Sequence, residues 1–234
     1  MLRSLAWVTL GMYAILVART LLLTAVATAV TAAAPASGNG PPRRPPSGHD
    51  IRLSLGSSWM FALGGAVVIQ ADGLGLTRLI HGPGSPWWLA PLGFAAVLLL
   101  QDGVFYGVHR LLHHRRLYRW LHQGHHHSHH PTAWTAFAFD PGEALLQAAF
   151  LVAVVFLIPL QPATLLALLL TMSGWAVLNH LDPERLPAGL PLAGLDQWLI
   201  GPRHHGHHHR RPGLHFGLYF TLWDKLCGTE DPKP

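Results

Sequence analysis

Apolar residues in this chain of 234 residues come in long blocks, not with the short periods of half-buried strands or surface helices. Leu5 to Ala33 is almost wholly apolar, broken only by Arg19 and several threonines. Trp59–Ile80 and Trp87–Val108 follow, the first carrying Gln70 and Asp72. Ala144–Leu160 and Ala163–Asn179 are two further runs of seventeen residues, joined at Pro-Leu-Gln-Pro. A helix rises about 1.5 Å per residue and a bilayer core is about 30 Å thick, so runs near 20 residues can span it. The two shorter runs would cover about 25 Å each, which predicts a helical hairpin that crosses or nearly crosses the bilayer. The pattern therefore predicts an all-α integral membrane protein of about four to five apolar helices.

Polar segments divide the blocks. Residues 1–33 form an N-terminal span or, because Arg3, the apolar run and Thr-Ala-Ala-Ala-Pro-Ala-Ser resemble a leader, a signal-like segment. Residues 34–55 read as a Pro/Gly-rich linker, disordered or extended from Ala34 to Asp50, with His49 solvated inside it. Residues 56–229 carry the main domain, and 230–234 a tail. His81 belongs to a turn that ends in Trp87 and Trp88, side chains suited to a membrane interface. Arg19 would cost about 2.5–3.5 kcal/mol at the centre of a span unless it snorkels or faces protein.

Composition agrees with the pattern. Half of the residues are hydrophobic and 12% are charged, against about 25% charged in ordinary soluble proteins. The net charge of +5 lies beside apolar blocks, where it sets membrane orientation, and no nucleic-acid partner is predicted. If residues 109–140 face the cytoplasm, thirteen of the sixteen Lys and Arg share that face, as the positive-inside rule requires. Cys227 is the only cysteine, which excludes a disulfide framework and a thiolate zinc site.

The chemistry lies in histidine. Nine of the twenty-two residues from His109 to His130 are histidine. They include an HxxxH (His109, His113) and an HxxHH (His122, His125, His126), and a second HxxHH returns at His205, His208 and His209. His109 and His113 share a helix face, and Asp102 lies on the same stripe two turns deeper, placed to orient a ligand histidine. His113 and His122 would fall on opposite faces of one continuous helix, so the chain is expected to bend between His114 and Leu121. His180 follows the apolar hairpin and returns to the same side. Imidazole ligands suit iron, copper, zinc or nickel. Their number exceeds what one tetrahedral zinc takes and fits two metals. No HExxH, ExxH, GxGxxG or GxxxxGK[ST] motif appears.

The order HRLLH, LHQGHH and HHGHHH, with TLWDKLCGT after the last box, resembles the fatty acid hydroxylase/sterol desaturase superfamily of membrane di-iron oxygenases. The resemblance covers roughly residues 98–229, and PTAWTAFAFDPGEALLQ is similar to the corresponding segment of sterol C5-desaturases. It implies metal ligands at His109, His113, His122, His125, His126, His205, His208 and His209, and a further one at His180. Asp102, Asn179 and Asp224 are the candidates for supporting the ligands from behind. His114, His127, His204 and His207 adjoin the boxes and leave their register open by one residue. His129 and His130 match no box position, and His215 stands where many similar proteins have Asn.

The resemblance further implies a helical cap on the cytoplasmic face carrying the boxes, two irons, and O2 as co-substrate. The product would be an alcohol or a double bond in an apolar lipid that slides in from the bilayer. The flanks favour a sterol-like or isoprenoid lipid over a fatty acyl chain. These residues leave no room for a fused cytochrome b5-like domain, so electrons are expected from a separate cytochrome b5-, ferredoxin- or reductase-type donor. The competing class is a His-rich membrane protein that binds or transports metal. That class needs ionisable residues within the spans, where few occur beyond Asp102, and leaves the HxxxH unexplained.

Overall fold

The segment before the second apolar block ends in a helix cap. The computed structural model describes residues 2–33, 45–82, 84–183, 186 and 194–231. In it the Ser47 side chain accepts from the backbone N–H of His49, starting helix α2 (Gly48–Gly73). α2 thus begins inside the predicted linker; residues 34–44 of that linker lie outside the described residues. The helix stops where Gly75 takes a φ of 69°. Beyond it Arg78 N and Ile80 N donate to Val155 O and Leu160 O. The run read as Trp59–Ile80 is therefore a helix that starts earlier, followed by an extended piece. His81 lies in the loop, as expected, its ring 3.0 Å from Asp72.

The other long helices are α1 (Leu2–Ala33), α3 (Leu89–Leu112), α5 (Pro141–Leu157) and α6 (Pro162–Asn179). Pro141 and Pro162 occupy first-turn positions, where a missing N–H costs nothing. Ser4–Ala32, Gly48–Gly73, Leu89–Leu112 and Pro162–Asn179 are long and apolar enough to cross a membrane, while Pro141–Leu157 is shorter. The described residues contain isolated bridges but no strand. The protein is a helical, multi-pass membrane protein.

α2 packs against α1 and α5, and α6 against α3 and α1. Small residues at these contacts, among them Ala62, Ala66 and Ser58, let the backbones approach. Thr9, Thr24, Thr28 and Thr31 return their hydroxyl protons to carbonyls one turn earlier, which satisfies them without water. Leu99, Leu157, Leu166 and Leu170 point outward, an exterior suited to lipid.

A cap of short elements gathers where α3 and α6 end and α2 and α5 begin. It holds α4 (Tyr118–Leu121), single 3-10 turns at His125–His127 and Ala133–Phe137, α7 (Pro202–Arg210) and α8 (Leu222–Cys227). The first turns of α2 clamp it. Buried Asp50 accepts from Ser128 Oγ and Thr135 Oγ1, and Ser57 Oγ donates to Phe137 O at 2.7 Å. His49 is not solvated: its Nε2 lies 3.1 Å from Gly124 O and its ring packs on His127. The cap at Ser47 makes His49 and Asp50 helical and turns them onto the histidine loops.

Candidate metal centre

α3 carries His109 in its last turn and ends at Leu112. The expected bend follows, as Leu117 N donates to His114 O and α4 begins at Tyr118. His122 closes α4, and the next 3-10 turn supplies His125 and His126. Gly124 is required between them: a Cβ there would collide with the Asp140 carboxylate, which accepts from Gly124 N at 2.7 Å. α6 delivers His180 at its C-terminal cap. α7 presents His205, His208 and His209 on one face, the i, i+3, i+4 positions.

With His113, the C-cap of α3, they number nine and converge in two groups: His109, His113, His122, His126 and His208 in one, and His125, His180, His205 and His209 in the other. Within each group one ring nitrogen per residue lies within 4.8 Å of all the others. Neighbouring nitrogens are 3.0–3.2 Å apart for His109–His122, His113–His208, His126–His208, His180–His205 and His205–His209. A metal–nitrogen bond of about 2.1 Å places ligands at right angles about 3.0 Å apart and opposed ligands about 4.2 Å apart. The spacing matches one ion per group.

Hydrogen bonds behind the rings fix which nitrogen faces inward. Nδ1–H of His109 donates to Phe216 O, that of His208 to Leu214 O, that of His125 to Ala138 O and that of His180 to Ala176 O. His122 Nδ1–H donates to Glu143 at 2.7 Å. Each of these rings therefore turns its Nε2 lone pair toward the others. His109 and His122 set two lone pairs face to face at 3.1 Å, a repulsive contact that a shared cation relieves. Burial first, then the neighbouring imidazoles, hold His113 and His180 down to about 3. The same causes push His122, His126, His205, His208 and His209 well below the ordinary value. All are neutral at pH 7, the form that binds metal. The donor set fits two first-row transition ions.

The remaining histidines separate cleanly. His204 and His207 occupy the other face of α7, against His215. His114, His127 and His129 are exposed. The three supporting candidates all hydrogen-bond to the loop after α7. Among the described residues no hydrogen bond joins Asp102 to a histidine; its Oδ1 accepts from Tyr219 N and Phe220 N, because α3 buries it against the loop after α7. Asn179 donates to Leu218 O in that loop. Asp224 accepts from Phe216 N, Gly217 N and Thr229 Oγ1, so it braces the segment whose carbonyls hold His109 and His208. His215, at a φ of 56°, makes the turn in that segment, a conformation in which Asn and His are enriched.

Glu143 escaped the sequence reading. It is buried in the first turn of α5 and accepts from the His122 ring and from Gln147 Nε2, whereas Asp140 accepts from the backbone N–H of His125. A lone acid at the start of an apolar helix was the available signal. Both groups open on a cavity enclosing about 740 Å³, lined by His109, His122, His125, His180 and His205 and walled by Phe61, Phe105, Phe137, Phe139 and Met172.

Comparison with known proteins bears on this geometry directly. The sequence model of the fatty acid hydroxylase family matches residues 94–229, more than half of the chain. The chain belongs to the fatty acid hydroxylase family. It is 33% identical to human lathosterol oxidase over 132 residues, 56% of this chain and 42% of that protein. It is 34% identical to the Delta(7)-sterol 5(6)-desaturase ERG3A of Gibberella zeae over 148 residues (63% and 40%). It is 31% identical to the Delta(7)-sterol 5(6)-desaturase erg3B of Aspergillus fumigatus over 188 residues (77% and 53%). The chain spans about half the length of the curated relatives it matches. No solved structure matches it.

Proposed function

We propose that this family member is a membrane di-iron oxygenase that hydroxylates or desaturates an apolar lipid, using O2 and electrons from a separate donor. The observation that carries the reading is the pair of imidazole groups, with five of the nine rings pinned from behind, opening on one aromatic-walled cavity. His109, His113, His122, His126 and His208 would hold one iron, and His125, His180, His205 and His209 the other. Two irons there would supply the power to use O2 against an unactivated C–H bond.

The chain's own part is positional. The carbonyls of Phe216, Leu214, Ala138 and Ala176 and the Glu143 carboxylate fix ring orientation and tautomer. The apolar walls exclude water and seat the lipid. The relatives' names favour a sterol-like or isoprenoid lipid over a fatty acyl chain. The charge distribution favours the cytoplasm for the cap. Cys227, exposed on α8 and the only cysteine, reports the side: an impermeant maleimide should label it in inverted vesicles and not in intact cells.

The deciding experiment pairs iron analysis of purified protein with lipid mass spectrometry of cells with and without the gene. Two irons per chain and a lipid gaining about 16 Da or losing about 2 Da are expected. Variable zinc or nickel released by mild chelation, with no lipid change, would replace this reading with metal transport.

A further inference from the structure

Arg19 lies in the middle of α1, outside the family-matched residues, and lines the same cavity as the histidines. It does not snorkel out of the bundle. Its Nη1–H donates to Ser173 Oγ at 3.1 Å, and Ser173 passes its own proton to Leu169 O. The guanidinium sits 4.4 Å from the centre of the Phe137 ring. Among the described residues no carboxylate pairs with it, and its Nε–H is buried without an acceptor. A guanidinium brings five donors, and a buried cation is costly until they are met.

Of the other polar side chains at the cavity wall, Asn179 leaves its Oδ1, an acceptor, without a partner among the described residues. Gln101 accepts from the Tyr219 hydroxyl, and Gln147 donates to Glu143. Among the described residues at this wall, Arg19 Nε–H is the buried donor nitrogen left without any partner. Ser173, which holds it, precedes His180 by seven residues of α6, about 10 Å along the axis at 1.5 Å per residue. The guanidinium is thus held on the wall of the same space, by a residue about two turns of α6 before His180.

We propose that Arg19 binds the polar end of the lipid, so that the cavity takes an apolar body carrying an oxygen acceptor, a carboxylate or a hydroxyl, remote from the histidines. This rests on the lipid reading above. The carbon that is oxidised is then set by its distance from that oxygen.

The test uses full-length protein in lipid nanodiscs and three radiolabelled probes: hexadecanoic acid, cholesterol and hexadecane. At least one oxygen-bearing probe should bind about tenfold more tightly than hexadecane. Arg19→Met should abolish that advantage, leaving hexadecane binding and metal content unchanged, and Arg19→Lys should restore part of it for the acid. Which probe depends on Arg19 distinguishes an acyl from a sterol source. Equal affinities for all three probes, or oxygen-bearing probes that bind Arg19→Met as they bind wild type, overturn the proposal. Arg19→Gln is read by the same criterion should Arg19→Met fail to assemble. Because binding is read without turnover, Arg19-dependent binding by a protein that holds no iron would sink the oxygenase reading alone. Two irons and lipid oxidation with Arg19-independent binding would sink the anchor alone.

Discussion

The two histidine groups are built from the same ingredients but not to the same tolerance. The group around His109 draws five nitrogens from α3, the residues after it, the box-two turn and α7, and one of its rings leans on a carboxylate. The group around His180 has four nitrogens, all from buried residues; His125 and His180 lean on backbone carbonyls, and His209 Nδ1 has no partner among the described residues. His113 is the least buried of the nine, whereas His205 lies within 3.2 Å of two partners in a group with no spare donor. Redundancy protects one group. Enclosure protects the other.

The largest expected effect tests that asymmetry. His205→Ala should reduce iron from two per chain to one and lower turnover by at least about a thousandfold, since three nitrogens remain where four were. His113→Ala leaves four nitrogens in its group and should keep two irons, with weaker affinity for one. Iron titration of both variants checks the comparison, and equal losses would erase it.

Next comes Glu143, the carboxylate that distinguishes the first group. Partners behind a metal-bound histidine typically carry 10–100-fold in affinity or activity. Glu143→Ala should cost about that much at the His109 group and leave the His180 group's affinity unchanged. Glu143→Gln, which still accepts from His122, should cost less. A uniform loss at both ions would show that Glu143 supports the cap as a whole.

Acid should act on both groups together. His113 and His180 are held at about 3 in the fold, against an ordinary value of 6.5. The unfolded chain therefore takes up protons first as pH falls. Stability from these groups is fully present above pH 6.5 and is lost progressively between 6.5 and about 3. Melting temperatures of metal-free protein should be level above pH 7 and fall below 6.5, and iron should be released over the same range because protons compete for the ligand nitrogens. Full iron occupancy at about pH 4 would count against neutral imidazole ligation.

How much of this could be read from the chain follows from what each contact depends on. The boxes were legible because i, i+3 and i+4 spacing decides which rings share a face, and His113 and His122 could not both face inward without the bend found before Tyr118. The long apolar helices were legible for the same local reason. Glu143, His49 and Asp50 were not, because their partners lie 21, 75 and 78 residues away in sequence. A Pro/Gly-rich stretch gives no hint that its last residues clamp a loop across the molecule. Asp102 bonds to the loop carrying Tyr219, 117 residues away, a partner that helix spacing could not name.

The smallest expected effect concerns the histidines that composition alone would have counted. His114 and His129 are exposed and belong to neither group. An exposed imidazole near a metal site is a plausible loading ligand, and a run such as HHHSHH invites that role. Five of the inward rings, however, are set by pinned Nδ1 atoms behind them, whereas among the described residues His114 Nδ1 accepts only from Arg116 N in its own exposed turn. The double variant His114→Ala/His129→Ala should therefore keep two irons and turnover within about twofold of wild type. A loss as large as that of His113→Ala would mean that the first group recruits a ligand from the surface, and that its fifth nitrogen is not the spare that sets it apart from the second.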